Sequence, residues 1–413
     1  MLGKAKACIL CEKNTAFLAI SSALGYNRFA AYHGGTVMDF RKGYHKLRQY
    51  LPLFAQICFL LCCICGILHV CFTKSVAFSD FFNRFISTPI RALLAYLTCW
   101  IPFSLAETII ITLPVTAVAL SVFCMKRAAR GRRHAIRCIS SLLAGVSLFY
   151  SLFVLTFASG YQGSTLEERL DLERRSVSKE ELYQTACLLR GYVEENLDEI
   201  AFRYGSFSDM PYTLSELNDL LVKAYSKTAD QYDFIPHLYT GVKGIMLSEP
   251  MTYTHISGVY TYFTGESNIN LNFPDYTLPF TAAHEMSHQR GIAREDEANF
   301  MAFLVCINSD DPYIRYSGFM NLFEYVMNAL YTADKTQYSE LYYACDYRMR
   351  WEMQAYSDFY KKYEKSTASQ ISGTVNDTFL KSQGQSDGSR SYGRVVDLAV
   401  AYYRSSLFCE PIS

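Results

Sequence analysis

The stretch LPLFAQICFLLCCICGILHVCF, residues 51–72, decides the fold class because it is long, apolar and free of charged side chains. As a helix it is long enough to cross the hydrocarbon core of a bilayer, which needs about 20 residues. Similar runs cover about 104–125, with Glu107 and Pro114 inside it, and 136–157. One such run could be a core helix of a soluble protein. Three within so short a segment predict a membrane anchor with three spans.

The charges divide the chain at the end of the third run. Residues 1–157 contain 17 Lys and Arg but only 4 Asp and Glu, whereas the whole chain has 39 of each. A basic apolar part is therefore followed by an acidic polar part, which predicts an anchor that carries a water-exposed domain. Phosphate binding needs a basic surface, so we expect no nucleic acid partner. A hydrophobic fraction of 50% also excludes general disorder.

The basic residues that flank the spans predict their orientation. Lys and Arg cluster at 41–48, before the first span, and at 126–137, between the second and third. The positive-inside rule places both clusters in the cytoplasm. We therefore expect a multi-pass protein of the cell (cytoplasmic) membrane, with the lipid bilayer as a partner and the domain after the third span outside the cytoplasm.

These patterns divide the chain into an uncertain extension (1–37), an anchor (38–160) and an extracytoplasmic domain (161–413). Residues 1–37 resemble neither a signal peptide nor a span, and we expect translation to start at Met38. The segment 73–103 is predicted to be a connecting helix. An amphipathic segment along the membrane surface is the alternative.

The domain is predicted to be α+β, mostly helical with a small β-sheet. Helical periodicity covers 167–175, 179–196 and 214–230, and it returns from Pro279 to about Tyr363. Stretches that begin at Gly244 and Gly258 are rich in β-branched and aromatic residues and predict strands. A polar segment over 366–390 predicts a loop, followed by a last helix over about 392–405. The domain's cysteines could form two disulfides; they are Cys187, Cys306, Cys345 and Cys409.

The stretch that carries chemistry reads PFTAAHEMSHQRGIAREDEANF, residues 279–300. His284 and His288 lie four positions apart, so on a helix both imidazoles can reach one Zn²⁺ ion. Glu285 lies between them and is placed to act as general base on a water molecule. Pro279 suits the first turn of this helix, and Gly291 suits a left-handed turn after its end.

The third metal ligand is predicted on the next helix. One class of zinc peptidase uses a histidine six residues after the second ligand, but Arg294 occupies that position and binds no metal. Another class uses a glutamate, which points to Glu295, with Asn299 one turn later as the hydrogen-bonding support of a ligand histidine. Glu297 remains an alternative ligand, and Asp296 a weaker one.

This site predicts hydrolysis of a peptide or envelope protein substrate. Glu285 would take a proton from water and pass it to the leaving amine. The segment 260–272 could pair with an extended substrate as an added strand, or simply support the zinc helix. His237, His255 and Tyr392 are possible donors to the developing oxyanion. The alternatives are a non-catalytic metal sensor or structural envelope protein, and a zinc amidase that acts on cell-wall or lipid amides.

The sequence contains five ordered motifs, which are IPFSLAE (101–107), TGESNIN (264–270), LPFTAAHEMSHQRG (278–291), EDEANF (295–300) and SYGR (391–394). Together, across about 40–405, they resemble the bacterial membrane family catalogued as domain of unknown function 3810. The resemblance implies a membrane-anchored, zinc-dependent hydrolase and no particular substrate. The Glu-x-x-Ala-Asn element is also similar to Glu-x-x-Ala-Asp of membrane zinc peptidases of the gluzincin type, which implies that Glu295 is a ligand and that Asn299 replaces an aspartate.

Overall fold

The computed structural model describes residues 47–173, 175–364, 366–385 and 394–407. Residues 1–37, for which a separate start was predicted, therefore lie outside the described ranges, as do Tyr392 and Cys409. The first helices are α1 (Leu53–Lys74), α2 (Val76–Phe82), a π-helical turn (Asn83–Ser87), α3 (Thr88–Thr98), α4 (Leu105–Ala128) and α5 (Arg132–Thr156). Then come α6 (Leu166–Arg169), α7 (Lys179–Asn196), α8 (Leu214–Gln231), β1 (Val242–Gly244), α9 (Ser248–Thr252), β2 (Gly258–Thr261) and β3 (Glu266–Ile269). The remaining helices are α10 (Thr277–Gln289), α11 (Glu295–Ile307), α12 (Pro312–Ala333), α13 (Lys335–Ala344), α14 (Tyr347–Tyr363), α15 (Thr367–Ser382) and α16 (Val395–Leu407).

Three helices of the described chain, α1, α4 and α5, are long and apolar enough to cross a membrane. Each coincides with a predicted span to within a few residues. Helix α5 packs against both α1 and α4. Most of their large apolar side chains stay exposed, as expected for helices whose outer surface faces lipid. A disulfide between Cys124 and Cys138 joins α4 to α5 beside the basic loop.

The segment between α1 and α4 is more than the connecting helix that was predicted. It folds into α2, the π-helical turn and α3, and α3 packs against both α10 and β3. Arg91 on its inner face is completely buried. Its outer face carries the exposed side chains of Leu93, Leu97 and Trp100. The segment is therefore amphipathic and forms part of the support of α10.

Two carboxylates attach the start of α4 to the sheet. Glu266 of β3 accepts hydrogen bonds from the backbone N–H groups of Leu105 and Ala106, and it pairs with Lys243 at 2.6 Å. Glu107 in turn accepts from two backbone N–H groups just after β1, at 3.0 and 2.8 Å. Negative charge is favourable at a helix N-terminus. These contacts explain why acidic residues occur in the motifs at 101–107 and 264–270.

The sheet has three strands in the order β1-β3-β2, with β1 parallel and β2 antiparallel to β3. In the pairing of β2 with β3, Gly258 lies opposite Ile269 and Thr261 lies opposite Glu266. The strand order leaves β2 at one edge of the sheet. All four residues of β3 are buried although three of them are polar. One of them, Ser267, donates to the backbone carbonyl of Glu285 at 2.9 Å, so the central strand fixes the position of α10.

Helix α10 lies at the centre of the helical core, and every one of its residues is buried. It packs against α11, α12 and β3, while α7, α8, α14 and α16 complete the core around α11 and α12. Arg290, just after the helix, places its guanidinium 3.8 Å from the ring centre of Tyr225 and donates to the carbonyl of Leu238. The predicted architecture, mostly helical with a small sheet, is confirmed.

Several local predictions were wrong. The stretch 366–390 is largely helical where it is described, because Ile371, Val375 and Phe379 recur every fourth residue of α15. The helix predicted over 167–175 is the single turn α6. The strand predicted to begin at Gly244 instead ends there, since α9 follows. The domain cysteines Cys187, Cys306 and Cys345 are free thiols.

Candidate metal centre

The end of α10 is shaped by a glycine. Pro279 lies in the first turn, and the helix ends at Gln289. Gly291 then adopts φ +97°, a left-handed conformation that glycine accepts without strain. The N–H of Gly291 bonds to the carbonyl of His288, and that of Ile292 bonds to the carbonyl of Ser287. This is a Schellman motif, and it confirms the stop predicted at this glycine.

Three side chains converge where the end of α10 meets the start of α11. Nε2 of His284 lies 3.2 Å, and Nε2 of His288 3.4 Å, from Oε2 of Glu295. In the described part of the chain they form the only group of three or more His, Cys, Asp or Glu side chains whose ligand atoms lie close enough to hold one metal ion. Two imidazole nitrogens and one carboxylate oxygen are a donor set that zinc accepts, with a fourth position left for water. The residues present therefore fit the metal.

The Schellman turn also orients His288. Its Nδ1 lies 2.7 Å from the carbonyl oxygen of Ile292, which fixes the ring and leaves Nε2 directed at Glu295. This support was predicted for Asn299 instead. Asn299 lines the same cavity, yet no hydrogen bond joins it to either imidazole in the described structure. A backbone carbonyl performs the role because the turn at Gly291 brings it back over the ring.

The structure separates the two candidate glutamates. Glu295 begins α11 and faces the histidines, whereas Glu297 points to the opposite side. There Glu297 accepts hydrogen bonds from Arg294 at 2.7 Å and from the backbone N–H of Leu166 at 3.0 Å. The Glu297 carboxylate therefore holds the start of α6. These hydrogen bonds keep it on the side of α11 away from the imidazoles.

Glu285 lies beside this cluster in a tight space. Its carboxyl group is buried and accepts a hydrogen bond from the backbone N–H of Tyr260 in β2. Burial raises the pKa of Glu285 to about 7, against the opposing influence of the two imidazoles. A Cβ on Gly258 would lie only 2.5 Å from Oε1 of Glu285, so this strand position must be glycine for the carboxylate to keep its place.

The charges of the cluster stabilise one another. Burial acts to raise the pKa of Glu295, but the two neighbouring histidines outweigh it and hold that pKa well below its usual range. Burial also acts to lower the pKa of His288, and Glu295 outweighs it, so the pKa rises to about 9. Without a metal ion His288 and Glu295 therefore form a compact ion pair. A divalent cation would replace the proton held there.

The cluster forms the floor of a cavity of about 820 Å³. Its walls come from β2, from α12 and α14, from α15 and from the residues just after α5. The backbone N–H of Asn270 donates to the carbonyl of Ser257, just before β2. In an antiparallel pair every second residue bonds to the neighbouring strand, so in β2 these are Val259 and Thr261. The backbone groups of Gly258 and Tyr260 consequently face away from β3, toward the cavity.

Two residues of the α2–α3 segment hold the end of α10 in place. Arg91 donates to the carbonyl of Gln289 at 3.1 Å and to that of Thr156, the last residue of α5, at 2.5 Å. Asn83 donates to the carbonyl of Gly291 at 3.2 Å. A cation at a helix C-terminus is favourable. Arg91 therefore connects the histidine-bearing helix directly to a candidate membrane span.

The other predicted donors are dispersed. His255 lines the cavity, but its two ring nitrogens contact the hydroxyl of Tyr360 and the carbonyl of Tyr363. His237 is half-exposed beside Asp230, away from the cavity. The sequence analysis missed Gly258 and Arg91. Their distance along the chain from α10 left no local pattern to detect.

Residues 82–400 match the family described as "Protein of unknown function (DUF3810)", and the chain therefore belongs to that family. The match covers the π-helical turn and α3 as well as the metal cluster, so it includes Asn83 and Arg91 together with the helix that they hold. No curated protein and no solved structure matches the chain.

Proposed function

We propose that this member of the DUF3810 family is a membrane-anchored zinc metallopeptidase. The observation that carries the proposal is the convergence of His284, His288 and Glu295 on the floor of a large cavity, with Glu285 beside them. A zinc ion held by these three residues would polarise a scissile carbonyl and lower the pKa of water.

The chain's own residues supply the remaining chemistry. Glu285 is buried, lies one residue from a ligand, and is oriented by the N–H of Tyr260, so it can accept a proton from the attacking water and deliver it to the leaving amine.

The edge strand supports a peptide as substrate. The backbone groups of Gly258 and the carbonyl of Tyr260 face the cavity, while the N–H of Tyr260 bonds to Glu285. An extended peptide can pair with the remaining groups of this edge through main-chain hydrogen bonds. Main-chain recognition is what separates a peptidase from an amidase for cell-wall or lipid amides, whose substrates lack a continuous extended backbone.

The orientation of the anchor follows from charge. The basic loop between α4 and α5 lies at the end of the spans opposite the cavity, and the positive-inside rule therefore supports a cavity outside the cytoplasm. Cys124 and Cys138 lie at the basic end. The disulfide between these two cysteines is one that a reducing cytoplasm would open to two thiols.

Metal removal tests the proposal. The full chain, purified in detergent and supplied with a randomised peptide library, should lose hydrolysis on dialysis against a zinc chelator and regain it when zinc is restored. Mass spectrometry of the products would also show which bonds are cut. Hydrolysis that persists without metal would contradict the peptidase, as would cleavage of amide bonds in added cell-wall fragments with no cleavage of any library peptide.

Substitution of Gly258 tests the strand. In Gly258→Ala the new methyl group must displace the carboxylate of Glu285, so we expect hydrolysis to fall about 100-fold while zinc content is retained. The matched control is Gly191→Ala on α7, where a Cβ meets nothing within 4 Å. Equal peptide turnover by the two variants would show that Gly258 does not constrain the base.

A further inference from the structure

We propose that the substrates are membrane-anchored polypeptides, cut close to the point where they leave the bilayer. This inference rests on the proposed peptidase function and names its substrate class. Three features carry it: the distance from the metal cluster to a span, the apolar residues around the ends of the spans, and an apolar stripe on α15.

The wall of the cavity continues a candidate membrane span. Phe149, Phe153 and Phe157 follow one another at intervals of four residues, and Phe157 is the first residue after α5. The ring centre of Phe157 lies 5.8 Å from that of His288 and 5.4 Å from that of Tyr260. A single side chain therefore separates a predicted metal ligand from the end of a span.

The part of the domain that surrounds the ends of the spans is apolar on its outside. The side chains of Leu93, Leu97 and Trp100 on and after α3 are exposed, Trp100 by 86%. Met246, whose backbone N–H bonds to Glu107 at the start of α4, is 73% exposed. Tryptophan and other apolar side chains at the end of a span are typical of the membrane interface. The domain thus lies against the bilayer, and its cavity opens near that surface.

Helix α15 extends this apolar surface to the cavity. Ile371, Val375 and Phe379 form a stripe along one face, with Ile371 and Val375 more than 60% exposed. Phe379 packs on Phe153 of α5, with ring centres 6.0 Å apart, and both Val375 and Phe379 line the cavity.

Both ends of α15 are attached to the rest of the domain. Ser366, just before the helix, donates to the carbonyl of Tyr253. At the other end Gln162 donates to the carbonyl of Gln383 at 2.9 Å. The stripe therefore has a fixed place beside the cavity, between the end of α5 and the strand β2.

An anchored polypeptide is the occupant that uses all of these surfaces. A chain that emerges beside α5 meets the stripe at once, and each extended residue advances it by about 3.3–3.6 Å, so a few residues reach the metal cluster. The same extended segment can pair with β2. A soluble peptide gains nothing from a stripe that continues a lipid-facing surface.

The test uses the full chain in lipid nanodiscs with three substrates that share one randomised segment. The first places the segment directly beside a single apolar span, the second places a folded domain about 30 Å across between span and segment, and the third is soluble. The first two are equally concentrated at the membrane, so their comparison reports position alone. We expect the first to be cut at least about tenfold faster, the effect of burying one large aliphatic side chain.

Variants on α15 assign the preference to the stripe. Ile371→Ser should reduce the ratio of the first rate to the second, whereas Thr378→Ala, at an exposed polar position of the same helix, should preserve it. Equal cutting of all three substrates would overturn this inference and leave the peptidase standing. No zinc-dependent cutting of any substrate would overturn the peptidase itself, and the inference with it.

Discussion

Glu285→Gln should retain zinc and lose peptide hydrolysis by about 10²–10⁴, the usual contribution of a general base. The amide is nearly isosteric, so its oxygen can still accept the N–H of Tyr260, and the metal ligands are untouched. It cannot accept a proton from water. The measurement is kcat on a peptide from the library, together with the zinc content of the same preparation.

Glu324→Gln is the matched control for that experiment. Glu324 is a partly buried glutamate, whose carboxylate accepts from the hydroxyl of Tyr276, outside the cavity. Burial raises the pKa of Glu324 to about 8, so the group is largely neutral at pH 7 and the amide changes little. Loss of hydrolysis in the control, or its survival in Glu285→Gln, would contradict the assigned base. A biological phenotype that is intact in Glu285→Gln but lost in His284→Ala would favour a metal-binding sensor or structural protein.

Arg91→Ala should destabilise the domain by about 2–5 kcal/mol, because two buried carbonyls lose a charged donor at once. One belongs to Gln289 at the end of the histidine-bearing helix, and the other to Thr156 at the end of α5. We expect a lower midpoint of thermal unfolding in detergent and a weaker affinity for zinc. Both effects follow because the turn after α10 also positions the carbonyl that orients His288.

Arg91→Lys separates the loss of charge from the loss of geometry. A lysine keeps the positive charge but cannot reach both carbonyls in the planar arrangement of a guanidinium. We expect about half of the destabilisation caused by alanine. If Arg91→Ala unfolds at the same temperature as the wild type, the α2–α3 segment does not support the metal helix. In that case a fragment that starts at residue 161 should fold alone. If Arg91→Ala is destabilised as expected, that fragment should not fold alone.

The three candidate membrane helices were predictable because each is fixed by a continuous apolar run that needs no tertiary partner. The bounds of α1, α4 and α5 differ from the predicted ones by a few residues, and the largest shift is at the start of α5. The motif His284-Glu285-x-x-His288 was equally local, since four-residue spacing brings both imidazoles to one face of a helix.

The features that were missed depend on contacts between distant segments. Strand β3 is buried although its sequence is Glu-Ser-Asn-Ile. Its three polar side chains form hydrogen bonds with the backbones of α4, α10 and β2. Helix α15 was taken for a loop because its Ser, Thr and Gly content hid a four-residue apolar repeat. The role of Arg91 needed the fold itself, because it contacts a residue 198 positions away.

Zinc stoichiometry of the purified full chain, measured by inductively coupled plasma mass spectrometry, is the decisive experiment. The wild type should contain close to one zinc per chain, His284→Ala and Glu295→Gln should lose it, and Glu297→Gln should keep it, since that amide can still accept from Arg294 and Leu166. A wild-type chain that binds no zinc after reconstitution would contradict the metal centre. A loss confined to Glu297→Gln would contradict the ligand set.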